Sequence, residues 1–208
     1  MKKIYRIFVE GPADKRFIEQ LMEFVFNEKI PSDNIISTNG YTNLTATDKE
    51  GTFINEMQRT TDDGGINLVI FDADDDCKIR RTELLDWKRR TQTNFELFLF
   101  PNNKDEGELE NLLEQIINPE NKQIMECWDN YEQSLKEIHL PWRNGIPLTI
   151  PAKKTRIYAY LEALLGTSRS EKEKIKEKNR DYQNKKHWNL NAEALSELTK
   201  FLKSSLSQ

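Results

Sequence analysis

The segment Leu68-Val69-Ile70-Phe71-Asp72-Ala73-Asp74-Asp75-Asp76 runs from apolar residues straight into four carboxylates within five positions. Its β-branched and aromatic residues, with Gly64-Gly65 upstream, predict a buried strand, and the carboxylates then lie at the strand's carboxyl end. Open α/β sheets place their ligand sites at that end. Like charges this close repel one another unless they are hydrated or organised around a cation. A divalent metal is the natural partner.

The surrounding pattern predicts alternating strands and helices. Residues 3–9 read as a strand, and residues 14–27 as a helix with Phe17, Ile18, Leu21, Phe24 and Val25 on one face. Ile35-Ile36 offers a short strand, residues 52–59 a helix, residues 67–71 the third strand and residues 80–90 the third helix. Residues 95–100 form a fourth strand halted by Pro101, and a loop leads into a helix over residues 108–117. This order is that of parallel βαβ units. Beyond Pro119 the chain turns helical. Residues 153–165 carry Ile157, Tyr158, Leu161, Leu164 and Leu165 on one face before Gly166, and Leu195, Leu198, Phe201 and Leu202 mark a terminal helix. We expect an α/β core over residues 1–119, a mainly parallel sheet flanked by helices, with a helical C-terminal extension over 120–208 packed on it. A single domain over 1–208 is the alternative.

Three acidic positions fall at equivalent ends of this sheet. Glu10 follows the first strand before Gly11-Pro12, and Asp72 and Asp74 follow the third; on extended chain the latter two face the same side. Glu108 and Glu110 open the helix after the fourth strand. An all-oxygen set with no His or Cys suits a hard cation, Mg²⁺ or Mn²⁺, that meets substrate phosphate. Each acid also has a structural alternative. Glu10 at a helix start and Glu108 and Glu110 in a helix first turn can each serve the backbone N–H groups there. Asp14 reads as an N-cap for residues 15–27, and Asp75 and Asp76 as turn residues before the next helix.

In this order, Glu10, the Asp72-Ala73-Asp74 motif and Glu110 resemble the marks of the Toprim (topoisomerase–primase) domain family, which is related to OLD-type nucleases. The resemblance covers roughly residues 3–117. Phe100-Pro101, the run Gly107-Glu108-Leu109-Glu110-Asn111-Leu112-Leu113, Tyr158 to Leu165 and Trp188 are also similar to small stand-alone bacterial Toprim-like proteins. The resemblance implies a Rossmann-type sheet, Mg²⁺ or Mn²⁺ bound by Glu10, Asp72 and Asp74 with Glu110 as a further ligand, and metal-dependent nuclease chemistry on nucleic acid, DNA more than RNA, in repair or defence. Glu10 is then a ligand or general acid/base. Lys153 or Lys154, just before a helix, offers a cation to the phosphate by sequence order alone. No tyrosine stands out as a nucleophile, since Tyr158 and Tyr160 read as packing residues.

A different class of function is a degenerate binding or regulatory module that retains the acidic pocket without turnover. Phe71-Asp72-Ala73-Asp74 is also similar to the haloacid-dehalogenase phosphatase motif, although Asp75-Asp76 follow where that motif carries Thr or Val. A calcium-loop spacing is present at Asp72, Asp74, Asp76 and Glu83, but Cys77 stands where that loop needs glycine.

Composition narrows the field without choosing. The chain has 208 residues, 32% of them charged and 37% hydrophobic. No stretch approaches the ~20 apolar residues of a membrane span, and residues 1–10 are too short for a signal peptide. Cys77 and Cys127 lack CxxC spacing or a His partner, so neither disulfides nor zinc are indicated, and a cytoplasmic setting is expected. The formal charge of −4 argues for no general affinity for nucleic acid. Between residues 153 and 186, however, Lys and Arg outnumber the acids, and that region could touch phosphates. Residues 170–178 read instead as a solvated helix or loop with interspersed charges. Partner chains are undetermined, a homodimer being one expectation.

Overall fold

A computed structural model describes residues 4–45 and 51–206. Four strands form an all-parallel sheet: β1 (Tyr5–Val9), β2 (Ile35–Ser37), β3 (Ile66–Asp72) and β4 (Glu96–Phe100), in the order β2-β1-β3-β4. The fold is α/β, as the alternating pattern implies. Lys3, expected to begin the first strand, lies outside the described residues. Parallel strands covered on both faces carry apolar residues at every position, and the strands here divide them by the period of two. Ile7, Val9, Leu68, Ile70, Phe98 and Phe100 enter one core layer, while Phe8, Val69, Phe71, Leu97 and Leu99 enter the other.

The first layer is closed by α1 (Pro12–Phe26), α5 (Leu109–Gln115), α7 (Lys153–Leu165) and α9 (Ser196–Leu206); the second by α3 (Thr52–Asp62) and α4 (Cys77–Thr91). A short α2 (Tyr41–Thr45), α6 (Lys122–Glu137) and α8 (Arg169–Ile175) complete the α-helices of the described residues. None of these helices is long and apolar enough to cross a membrane. Cys77 and Cys127 are free.

Local sequence explains most of the boundaries. Pro12 sits at the first turn of α1, where its missing N–H is no loss, and Asn27 ends the helix in the left-handed region. Asp76 caps α4 by accepting the N–H groups of Lys78 and Ile79 at 2.8 and 3.0 Å, the turn role expected of it. Two details of the helical faces differ from expectation. Phe24 is 38% exposed, and Met22 takes the buried place on α1 instead. On α7 the fully buried aromatic is Tyr160, whose hydroxyl donates to the His187 carbonyl at 2.6 Å, while Tyr158 is only partly buried.

The segment that follows α8 is bound to the sheet layer by both apolar and polar contacts. Tyr182 packs edge-on against Phe17 of α1, at 5.2 Å between centroids, and against Trp188 at 5.3 Å. Gln20, buried on α1, donates Nε2–H to the Arg180 carbonyl at 2.8 Å and accepts the N–H of Tyr182 at 2.6 Å and of Gln183 at 3.2 Å. Further on, the Asn189 N–H reaches the Ile116 carbonyl at 2.6 Å, and Phe201 of α9 packs on Phe98. One buried amide thus bonds three backbone groups, of which the Tyr182 N–H has no other partner among the described residues. Gln20→Ala is expected to lower unfolding free energy by about 2–3 kcal/mol, more than a surface Gln→Ala change, in urea denaturation followed by tryptophan fluorescence.

Candidate carboxylate site

The strand order creates the site. From β1 the chain moves one way to β2, and from β2 it crosses to β3 on the other side of β1, so the carboxyl ends of β1 and β3 flank a switch point where open sheets form ligand crevices. Glu10 immediately follows β1, and Asp72 is the last residue of β3. The Glu10 carboxylate accepts the Asp72 N–H at 3.1 Å, and the Asp72 carboxylate accepts the Leu109 N–H at the start of α5 at 2.9 Å. Glu110, one residue further into α5, is 7% exposed.

Asp14 joins them, contrary to the expectation that it is a simple N-cap. The cap of α1 is Gly11, and Asp14 stands at the third helical position, its Oδ2 accepting the Gly11 N–H at 2.7 Å. Pro12 starts the helix two residues earlier than the apolar spacing suggests. That turns Asp14 inward, where it is 6% exposed.

Four carboxyl groups therefore share one electrostatic environment. Burial, then the charges of Asp14 and Glu10, push Asp72 up to about 9, against the opposing Leu109 N–H bond. Burial pushes Asp14 up to about 7, opposed by the Gly11 N–H and reinforced by Glu10 and Glu110. Burial also raises Glu10, with the Asp72 N–H opposing and Asp74 adding to the rise, and it raises Glu110, where Arg180 and Lys154 oppose. Desolvation and mutual repulsion act together here.

Asp74 takes a different position from the one expected on an extended chain. The strand ends at Asp72, and Asp74 adopts φ 51°, in the left-handed region. Its backbone pairs with Gly107 through two hydrogen bonds of 2.9 and 2.7 Å, and its half-exposed carboxylate forms an ion pair with Arg80. Arg80 lies over the Tyr41 ring at 3.8 Å and lowers the pKa of Glu10, so Asp74 and Arg80 stand at the edge of the cluster. Gly107, at φ 131°, approaches so closely that an added Cβ would meet Asn111 Oδ1 at 2.6 Å. Asp74, Asp75, Arg80, Gly107, Glu108 and Lys153 line a cleft of about 330 Å³. Lys153 Nζ donates to Asn111 Oδ1 at 2.9 Å, which places it on the wall of this cleft. Glu108 is the N-cap of α5, in keeping with its structural reading.

The calcium-loop reading is overturned, because residues from Cys77 onward are helical and Glu83 bonds Arg80 within that helix. Sequence reasoning took Asp14 for a cap and did not single out Arg80. Arg80 carried one usable signal, a base one turn into the helix that follows the Asp72-Ala73-Asp74 motif.

Chemically, the site offers carboxylate oxygens from Glu10, Asp14, Asp72 and Glu110, with Asp74 at the rim, and neither His nor Cys joins this set. Among the described residues, no three His, Cys, Asp or Glu side chains stand in a ready-formed metal cage. The donor set nonetheless suits a hard divalent cation, since an excess of desolvated negative charge is what such an ion neutralises.

An α/β protein with a carboxylate site at the switch point of a parallel sheet is thus defined. The chain belongs to the family described as "Protein of unknown function (DUF3226)", whose model matches residues 4–207. Comparison with curated proteins and with solved structures returns no match.

Asp14 yields a pH prediction. Its folded pKa lies above the unfolded value of 3.8, so its favourable share of stability is complete below pH 3.8 and is lost as pH rises through about 7. Asparagine keeps an oxygen for the Gly11 N–H and cannot ionise. In metal-free buffer, Asp14→Asn is expected to match wild type near pH 4 and to exceed it above pH 7 by on the order of 3 kcal/mol, read from denaturant midpoints.

Proposed function

We propose that the chain binds Mg²⁺ or Mn²⁺ at the carboxylate site and hydrolyses phosphodiester bonds in nucleic acid, DNA in preference to RNA, as a Toprim-type nuclease. The observation that carries this reading is the convergence of Glu10, Asp14, Asp72 and Glu110 at the ends of β1 and β3, with pKa values raised by burial and mutual repulsion. Glu10 and Asp72 are the residues that would hold the cation, with Glu110 and Asp74 as neighbours able to contribute an oxygen. A divalent ion there supplies Lewis acidity and neutralises charge that develops on the phosphate.

The remaining roles belong to the chain's own side chains. Arg80 and Lys153, on the cleft that opens beside Asp74, are placed to attract and orient a phosphate backbone. If Asp72 and Asp74 hold the cation instead, Glu10, held by the Asp72 N–H, is the base that takes up the proton an attacking water loses, and the departing alkoxide is protonated from solvent. Water is the nucleophile in this scheme; Tyr160 is occupied in packing and in its bond to His187.

A second reading is a binding module without turnover. The Asp74–Arg80 ion pair favours it, because an acid already neutralised by arginine draws a metal less strongly.

The deciding experiment incubates purified protein with single- and double-stranded DNA and RNA in Mg²⁺, Mn²⁺ or EDTA, beside Glu10→Gln and Asp72→Asn. Metal-dependent cleavage is expected, with each variant at least about 100-fold slower and the Mn²⁺-induced rise in Tm reduced. Intact substrates together with no metal-dependent shift in Tm would overturn the proposal. A metal-dependent shift and nucleic-acid retention without cleavage select the second reading.

A further inference from the structure

Between α6 and α7 the chain changes in charge and in burial together. Residues 138–161 hold no Asp or Glu, although the chain carries 35 of them, so this run stands apart from the rest of the sequence. Its Lys and Arg residues are Arg143, Lys153, Lys154 and Arg156. Two of them are neutralised within the fold, Lys154 by Glu177 and Arg156 by Glu114, Asp129 and Glu132. The other two meet no carboxylate among the described residues. Lys153 bonds the Asn111 amide oxygen on the wall of the carboxylate cleft, and Arg143 bonds the carbonyl oxygens of Ile146 and Pro147 at 3.1 and 2.9 Å.

None of residues 138–152 is buried, yet the segment has a defined turn. Pro141–Arg143 form a 3₁₀ turn in which the Leu140 carbonyl accepts the Arg143 N–H at 2.9 Å. Asn144 and Gly145 follow at φ 50° and 82°, and the Ile146 N–H closes on the Arg143 carbonyl at 3.0 Å. Trp142 stands on this turn 73% exposed, more than any other large hydrophobic side chain of the described residues. The Arg143 guanidinium lies over the indole, 5.7 Å from the ring centroid. Its Nε and Nη2 are fixed by the two carbonyls, which leaves Nη1 without a partner among the described residues.

An indole held in water forgoes the burial that a core would give it. Beside a fixed guanidinium it offers what an unpaired nucleotide requires, a π-face for the base and charge-assisted donors for the phosphate. An apolar protein groove would be met by Trp142 and Ile146 but gains nothing from uncompensated positive charge, whereas a polyanion gains from both. We infer that the turn at Trp142 and Arg143 is a docking site for single-stranded nucleic acid, with a base stacked on the indole and its phosphate at the guanidinium. The other end of the same acid-free segment, Lys153, lines the cleft. The inference deepens the nuclease proposal by naming unpaired strands as the form engaged, and rests on that proposal for what becomes of the strand. In a duplex the base faces are already covered by their neighbours, so the indole has nothing to stack on.

The test measures binding apart from cleavage. The full chain in EDTA is titrated into a fluorescent oligothymidylate of roughly 20 nucleotides, and into a duplex of the same length, with polarisation as the readout. Trp142→Ala is expected to weaken single-strand binding about 10-fold and Trp142→Phe by no more than about 3-fold, while weaker duplex binding stays unchanged in both. Arg143→Gln should make the slope of log K against log salt shallower by about 0.7, the share of one phosphate. Trp142→Ala that binds the single strand as wild type does, or loses the duplex to the same degree, overturns the inference, and so does a wild-type chain that fails to bind the strand at low salt. Binding to anionic vesicles, or self-association in sedimentation, that vanishes in Trp142→Ala while oligonucleotide binding stays also overturns it and assigns the turn to a membrane or a second copy. Cleavage in Mg²⁺ or Mn²⁺ is read separately. Its absence with Trp142-dependent binding retained removes the nuclease reading alone, and cleavage with Trp142-independent binding removes this inference alone.

Discussion

The accumulation of desolvated carboxylates at one switch point is the constraint around which the rest of this molecule is arranged. Parallel strands deliver it without special loops. Glu10 and Asp72 stand at adjacent strand ends because β1 and β3 pair in register from Tyr5 with Ile66 to Val9 with Ile70. The backbone then supplies the first compensation. The Asp72 N–H serves Glu10, the Leu109 N–H at the opening of α5 serves Asp72, and the Gly11 N–H serves Asp14. Fixed dipoles of this kind offset part of a charge's lost hydration without adding a mobile cation. They do not offset all of it, since Asp72 and Asp14 remain well above the ordinary carboxylate range.

Further compensation comes from an arginine at the rim. Arg80, on α4, reaches the cluster from its edge, in contact with Asp74 and stacked on Tyr41. The C-terminal segment is anchored on α1, where Gln20 serves the Arg180 carbonyl and the Tyr182 N–H. The anchoring is polar, through Gln20, and apolar, through Phe17, Tyr182 and Trp188. This gives a physical reason for the extension to lie against the sheet, beyond the area that it buries.

The sheet and its acidic ends were legible in the sequence because they depend on local signals. A β-branched run read against a stop of carboxylates gives β3 and Asp72, and Phe8-Val9-Glu10-Gly11 gives the end of β1. Asp74 shows where local reasoning fails: the same-side argument assumes extended chain, and the strand ends two residues earlier, where pairing with Gly107 imposes a left-handed residue. Asp14 was hidden because a cap and an inward-facing third-position acid have the same sequence signature, and Pro12 decides between them by fixing the start of the helix. Arg180 was hidden more thoroughly. Just beyond a stretch of alternating Lys and Glu, nothing in the sequence distinguishes it from a solvated base, and its backbone is held by Gln20, 160 residues away in sequence.

The formal charge of −4 conceals a separation that matters for any phosphate chemistry at this site. In the cleft beside the cluster, Arg80 and Lys153 stand among Asp74, Asp75 and Glu108, so positive and negative charge nearly balance there. Deeper in lie the carboxyl groups of Glu10, Asp14, Asp72 and Glu110. In the proposed chemistry a polyanion would meet this mixed rim before the buried carboxyl groups, and a small cation would gain most at their depth. Two charged species of opposite sign can then be drawn to one place without having to compete for the same side chains. A uniformly basic surface would hold nucleic acid more tightly and repel the ion; a uniformly acidic one would do the reverse.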